Sequence, residues 1–335
     1  MRYPFSKSGL LIAFILVYML VSACSNSGST ANEKPAQTPA ESNAPVETEA
    51  SQSATKVYKD ALGREVEIPV NPQRIITTQY LPEMIAVGVK PVGAVTHLLS
   101  NFVAIKDQIG GIEDIGAANA MNMEKALELQ PDLIIATEWN EEQLDQLSKI
   151  APTVVVKWEG NDAIKHFKDV ADVLGKNDKA EQWIKDYEQE AAEARTKLAS
   201  FVKEGETFGV VVIGGYEKGQ LRVYGTGNVG YTLFDTLQFP MTDVVKTEWD
   251  KGDHELGINI SLEKLNEFAS ADRLFVVKFN NDPDFLKKVE ESSLWSMLPA
   301  VKNNKVYVVE DALWFSYDVM SFKGQLEDAV QLLSK

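Results

Sequence analysis

Arg74-Ile75-Ile76-Thr77-Thr78, Leu81-Pro82-Glu83-Met84-Ile85-Ala86-Val87-Gly88 and Pro91-Val92-Gly93-Ala94-Val95-Thr96 follow one another with two-residue gaps. The outer two are short β-prone runs. The middle one reads as a helix, with proline in its first turn and glycine near its end. Strand, helix and strand in such quick succession form the unit of a parallel sheet, because parallel neighbours need a crossover connection. The pattern continues downstream. Residues 121–129 predict a helix stopped by Pro131, 132–136 a buried strand, 141–149 a helix and 153–156 another strand. Aliphatic strands without polar alternation predict a parallel sheet covered on both faces.

A second unit of the same kind starts at Phe208-Gly209-Val210-Val211-Val212-Ile213. It continues through Leu221-Arg222-Val223-Tyr224, helices over 231–237 and 262–268, strands over 274–277 and 306–309, and a closing helix over 322–333. Between the units, 163–202 is almost all helix-forming, with one break at Gly175-Lys176-Asn177-Asp178. Asp178 is the expected cap of the second segment, about 25 residues and roughly 37 Å long. A helix of that length runs the height of a domain and can join two lobes rigidly. Met123-Glu124-Lys125 before one buried strand and Leu262-Glu263-Lys264 before another add a weak internal echo.

The first 56 residues are of a different kind. Arg2 and Lys7 precede an apolar run from Gly9 to Val21 that ends in Val21-Ser22-Ala23-Cys24. The run is about 13 residues, roughly 20 Å as a helix, too short to span a bilayer permanently. A basic start, a short apolar centre and small residues before the cut are the layout of a signal peptide over 1–23. Small residues directly before Cys24 resemble a lipobox, after which that cysteine is lipidated; an uncleaved anchor is the alternative. Residues 24–56 then form a tether of Ser, Thr, Ala, Asn, Gln, Pro and Glu, too polar to offset the entropy of ordering. The folded body is expected as an N-terminal lobe over 57–160, a helical connector over 161–203 and a C-terminal lobe over 204–335.

Cys24 is the only cysteine, so the chain has no internal disulfide, no cysteine metal cluster and no catalytic thiol once it carries lipid. The formal net charge is −16. Losing Arg2 and Lys7 with the signal would leave 31 basic against 49 acidic residues, about −18. Such a surface repels nucleic acid and anionic headgroups.

Several segments in order and spacing resemble the lipid-anchored substrate-binding proteins of ABC importers, in the subclass for iron(III)-siderophores, haem and cobalamin. They are Pro72-Gln73-Arg74-Ile75-Ile76, Gly88-Val89-Lys90-Pro91-Val92-Gly93, Asn122-Met123-Glu124, Leu129-Gln130-Pro131-Asp132-Leu133-Ile134-Ile135-Ala136, Ile150-Ala151-Pro152-Thr153-Val154 and Trp295-Ser296-Met297-Leu298-Pro299-Ala300. The resemblance covers about residues 57–334. It implies an α/β fold of two Rossmann-like lobes joined by a single long helix, and a monomer held at the outer face of the membrane. It also implies that Glu124 and Glu263, one per lobe, dock into arginine pockets of the permease. Without it, each would read as an acidic residue stabilising a helix start. The cargo would be a ferric siderophore, hydroxamate or citrate-hydroxamate in type, with iron carried inside the ligand and no resident cofactor.

Open α/β sheets bind ligands outside the carboxyl ends of their strands. Aromatics gather at those ends, and the expected ligand residues are Tyr80, His97, Trp139, Tyr216, Arg222, Asn228, Trp314, Phe315 and Tyr317. Arg222 and His97 are the expected cations, and the Trp314-Phe315-Ser316-Tyr317 run resembles one in hydroxamate binders. Haem stays open through His97, Tyr80 or Met121 as axial ligand, and cobalamin remains a further alternative. Gly225-Thr226-Gly227-Asn228-Val229-Gly230 matches a dinucleotide fingerprint, but no strand ending in an acid follows at the right distance. Its amides could instead grip an anionic ligand group. A lipid-anchored extracellular hydrolase is the reading from a different class, although no G-x-S-x-G, H-E-x-x-H or P-loop occurs.

Overall fold

The computed structural model describes residues 54–160, 162–215, 218–252 and 257–335. The signal peptide expected at 1–23, Cys24 and nearly all of the 24–56 tether lie outside these residues, as does Tyr216. Among the described residues no helix is long and apolar enough to cross a membrane.

A hairpin of β1 (Thr55–Lys59) and β2 (Glu65–Pro69) opens the fold. The hairpin register pairs Thr55 with Pro69 and Lys56 with Ile68, so the first strand includes two residues expected in the tether. Asp60 closes the turn by accepting the N–H groups of Leu62 and Arg64. The Arg64 guanidinium in turn donates to the Thr153 carbonyl, tying the hairpin to the first lobe.

In that lobe β3 (Ile75–Thr77), β4 (Gly93–Ala94) and β5 (Glu113–Asp114) lead to a small hairpin, β6 (Gly116–Ala117) with β7 (Ala120–Met121). Then come β8 (Leu133–Ala136) and β9 (Thr153–Val155). The sheet order is β5-β4-β3-β8-β9, parallel throughout. The helix expected over 121–129 is Met123–Glu128, because Met121 pairs in β7 and Asn122 caps the helix by accepting from the Lys125 N–H at 3.0 Å.

The second lobe holds β10 (Phe208–Ile213), β11 (Leu221–Tyr224), β12 (Ile258–Asn259), β13 (Arg273–Lys278) and β14 (Val306–Val309). Its order is β12-β11-β10-β13-β14. β10, β13 and β14 are parallel, but β11 runs antiparallel to both β10 and β12. This corrects the all-parallel expectation. The connection over 214–220 is too short to cross the sheet, and Gly214, Gly215 and Gly219 with positive φ let it double back.

The connector is two helices, Ala163–Val173 and Asn177–Leu198. The second has 22 residues, about 33 Å, and Asp178 lies inside its first turn rather than capping it. Ala180 belongs to the core of the first lobe, whereas Tyr187, Ala191, Ala194 and Leu198 belong to that of the second. Trp183 touches both: it stacks on Tyr187 at 5.2 Å and meets Phe167 edge-on at 5.3 Å. The closing helix, Val319–Leu333, repeats this arrangement. Val319 enters the first-lobe core, and Phe322, Leu326, Ala329 and Leu333 enter the second.

One buried ion network anchors the second lobe where the connector enters it. The Arg273 Nε donates to Glu206 Oε2 at 2.8 Å, with 8% and 10% of the two side chains exposed, and Lys305 pairs with the other carboxylate oxygen. Arg273 also donates to the Phe201 carbonyl and the Tyr307 hydroxyl. Glu206→Ala leaves that guanidinium buried without its counter-charge and is expected to cost about 3 kcal/mol in urea unfolding; a loss under 1 kcal/mol would mean that water replaces the carboxylate.

Candidate functional site

The strand ends of the two sheets face each other across a cavity of about 1000 Å³. Six of the expected ligand residues line it: Tyr80, His97, Trp139, Asn228, Phe315 and Tyr317. Tyr80 and Trp139 sit just past the ends of β3 and β8, and Phe315 and Tyr317 follow β14 after one short helix, Asp311–Trp314. Tyr80 and Asn228 are non-glycine residues in the left-handed region, at φ 39° and 42°. Such conformations are costly and persist where the surroundings hold them, often at functional sites.

The first-lobe wall is a chain of rings. Trp139 and Tyr80 each lie 5.8 Å from Trp158, which stacks on His166 at 4.3 Å. His166 is 1% exposed, its Nε2 donates to the Trp158 carbonyl, and burial holds its pKa down, so it is a neutral backing plate. The Tyr80 hydroxyl donates to the Val156 carbonyl, and burial, with Glu83 and Glu138 adding, keeps the phenol protonated. The opposite wall has Phe279 edge-on to Phe315 at 4.9 Å, and Tyr317 against Tyr231. Tyr317 is held protonated by burial, up to about 12.

Two expected ligand residues are not at the surface of the cavity. Trp314 is fully buried in the second-lobe core, 5.1 Å from Phe275, with Nε1 donating to Asp328 Oδ2 at 2.7 Å. Its helix, Asp311–Trp314, turns it to the side opposite Phe315. Arg222 is 1% exposed and sits behind the wall, its guanidinium 5.5 Å over the Phe315 ring and donating to the Gly214 carbonyl. A side chain on Gly215 would meet that guanidinium at 2.4 Å, so the missing side chain there makes room for the buried cation. The other expected cation, His97, lines the cavity but burial lowers its pKa, leaving it neutral at pH 7. Met121, an axial-ligand candidate, is buried in the first-lobe core.

The Gly225–Gly230 loop is not an anion cradle. The Gly227 N–H donates to Asp235 Oδ2 at 2.7 Å, and Gly230 packs so closely on the Gly225 carbonyl that a Cβ would lie 1.8 Å from it. The glycines there close the loop on itself.

Sequence reasoning passed over Glu83 and Asp318, which also line the cavity while being 1% and 2% exposed. Burial, and then the charge of Asp318, pushes Glu83 up to about 8; burial raises Asp318 to about 6 despite hydrogen bonds from Ser321. Glu83 reads in sequence as an ordinary first-turn acid and Asp318 as a helix cap, so no local signal marks them. Phe102 and Val103 were missed for a similar reason, being brought in by a 3₁₀ turn, Val103–Ile105.

A carboxyl raised from 4.5 to about 8 on folding contributes full stability below about pH 4.5, and that contribution drains away as pH rises through 8. The slope is about 1.4 kcal/mol per pH unit, several kcal/mol across the window. Glu83→Gln removes the drain, so its melting temperature is expected to gain several degrees on the parent between pH 5 and pH 8.5. A gap independent of pH would contradict a carboxyl buried uncharged.

The fold and site have clear relatives. A family model described as periplasmic binding protein matches residues 76–313. The iron(3+)-hydroxamate-binding protein YxeB of Bacillus subtilis is 30% identical over 339 residues, covering 98% of this chain and 97% of YxeB. Among solved structures, a Bacillus subtilis protein of the FhuD fold family, described as the binding component of a ferrichrome ABC transporter, is 32% identical with a TM-score of 0.72. That match covers 83% of this chain and 100% of the other. Staphylococcus aureus SirA complexed with staphyloferrin B is 30% identical with a TM-score of 0.70, covering 83% and 98%. The chain belongs to the periplasmic binding protein family and is an extracytoplasmic substrate-binding protein of the two-lobe α/β fold, not an enzyme.

Proposed function

We propose that this chain is a lipid-anchored receptor on the outer face of the cell membrane that binds a ferric hydroxamate siderophore and hands it to the permease of an ABC importer. The observation that carries this reading is the cavity itself, about 1000 Å³ and walled by Tyr80, Trp139, Trp158, Phe279, Phe315 and Tyr317. Rings on both sides suit a bulky complex whose outer surface is largely methylene and whose iron is already fully ligated. Among the described residues no group of three His, Cys, Asp or Glu side chains stands ready for a bare metal ion. The names of YxeB and of a second Bacillus subtilis relative, the iron(3+)-hydroxamate-binding protein FhuD, favour the same ligand class. A citrate-bearing complex fits less well: its free carboxylates would meet Glu83, Glu159, Asp311 and Asp318, and no Lys or Arg is among the described lining residues.

Tryptophan fluorescence tests this directly, since Trp139 and Trp158 are at the ligand surface. Saturable quenching at submicromolar ferric trihydroxamate, without response to ferric citrate, catecholate complexes, haemin or cobalamin, is the expected result. Quenching by haemin alone would move the reading to haem.

Glu124 and Glu263 are exposed, each in the first turn of a short helix that leads to the strand paired with the lobe's first parallel strand, β8 with β3 and β13 with β10. The Ser261 hydroxyl and its own backbone N–H hold the Glu263 carboxyl below its ordinary range, so it is ionised. A fixed carboxylate on each lobe suits charge-assisted contact with permease arginines. Glu124→Ala combined with Glu263→Ala is expected to abolish iron-siderophore uptake while ligand affinity stays put. Uptake at parental rate in the double variant would remove the docking role. The anchor is assigned to Cys24, which retains the body near that permease.

A further inference from the structure

Glu83 and Asp318 both line the cavity, both are almost fully buried, and they are close enough for the charge of Asp318 to act on Glu83. Glu83 stands in the first turn of helix Leu81–Ala86, and Asp318 caps the closing helix, which packs on that first helix. The cap accounts for one oxygen only: Asp318 Oδ1 accepts from the Ser321 N–H at 2.8 Å. Glu83 Oε1 and Asp318 Oδ2 accept no hydrogen bond from any described group. Helix capping and a favourable place in a helix dipole explain neither the burial of Glu83 nor two carboxyl oxygens left without donors. Buried acceptors in that condition are costly, and a ligand that brings donors repays the cost.

The surroundings point to the sign of that ligand. Glu159 and Asp311 stand on the rim from either lobe, His97 is neutral, Arg222 is sealed behind Phe315, and no Lys or Arg is among the described lining residues. We infer that the cargo is a ferric hydroxamate carrying a protonated amine arm, and that Glu83 and Asp318 form the subsite that receives this arm. The inference rests on the siderophore reading and narrows it. An ammonium brings three donors and one positive charge into a region of low dielectric, where both count most. With Asp318 near 6 and Glu83 near 8, the pair carries about one negative charge at neutral pH, matching one ammonium. The arriving cation meets the Asp318 carboxylate as counter-charge and the uncharged Glu83 carboxyl as a hydrogen-bond acceptor.

The test uses the intact chain and two probes: a linear ferric trihydroxamate with a terminal primary amine, and the same complex with that amine acetylated. Tryptophan quenching is expected to give at least tenfold tighter binding of the free amine. In Glu83→Gln combined with Asp318→Asn, which keeps the volume and a competent helix cap, the ratio of the two affinities is expected to fall towards one. Equal affinities in the parent would overturn the subsite and leave the siderophore reading standing, as would a preference that survives in the double variant. Failure of both probes to bind the parent would overturn the hydroxamate reading and the subsite with it.

Discussion

Trp183 is wedged between two hydrophobic cores, and the geometry of the binding cavity depends on it and its neighbours. The connecting helix gives Ala180 to one lobe and Tyr187 onward to the other, while the closing helix gives Val319 to the first and Phe322 onward to the second. Two helices therefore pin each lobe to the other through packed side chains rather than through a flexible crossover. Sliding one lobe would expose apolar surface from both cores at once. Lys323 reinforces the junction, pairing with Glu190 while lying 5.3 Å over the Trp183 ring. The consequence for function is that the rings on the two walls of the cavity are held at a nearly fixed separation, so a bulky rigid ligand meets a surface largely formed in advance.

Behind each wall stands a layer that never touches the cavity. His166 supports Trp158, Arg222 supports Phe315, and Trp314 fixes the start of the Phe315–Asp318 segment from within the second core. Such support restricts the rotamers of the exposed rings and lowers the entropy lost on binding. The same region carries unfavourable features: Tyr80 and Asn228 with left-handed backbone, and Glu83 and Asp318 buried with raised pKa. Local rules are broken where the two lobes meet and obeyed in the sheets, as expected when a site rather than a core needs those residues.

How much of this was legible depends on the range of the interaction. The strands over 74–78, 132–136, 208–213 and 306–309 were readable because a buried parallel strand is an unbroken aliphatic run. β11 reads equally well as a strand but its direction does not, since direction was decided by the seven-residue glycine-bearing return at 214–220 and by pairing with β12. Phe315 and Tyr317 are expected at the cavity because aromatics at strand ends are conspicuous, and both line it. Trp314, their neighbour, was misplaced for the same reason: one helical residue of rotation separates a ligand wall from a core, and composition does not carry that angle.

The sequence by itself determined the class of the fold, the two-lobe division with a helical connector, and the strand ends at which a ligand site would form. These follow from local periodicity and from the short reach of each strand–helix unit. Tertiary structure alone decided the character of the site. It sealed the expected cation Arg222 behind a ring, neutralised His97 by burial, filled the glycine loop with its own contacts, and brought together Glu83 and Asp318, 235 positions apart in the chain. Charge and burial are properties of what surrounds a group in space, and that surrounding is assembled from other elements of the fold, beyond what a local sequence pattern carries.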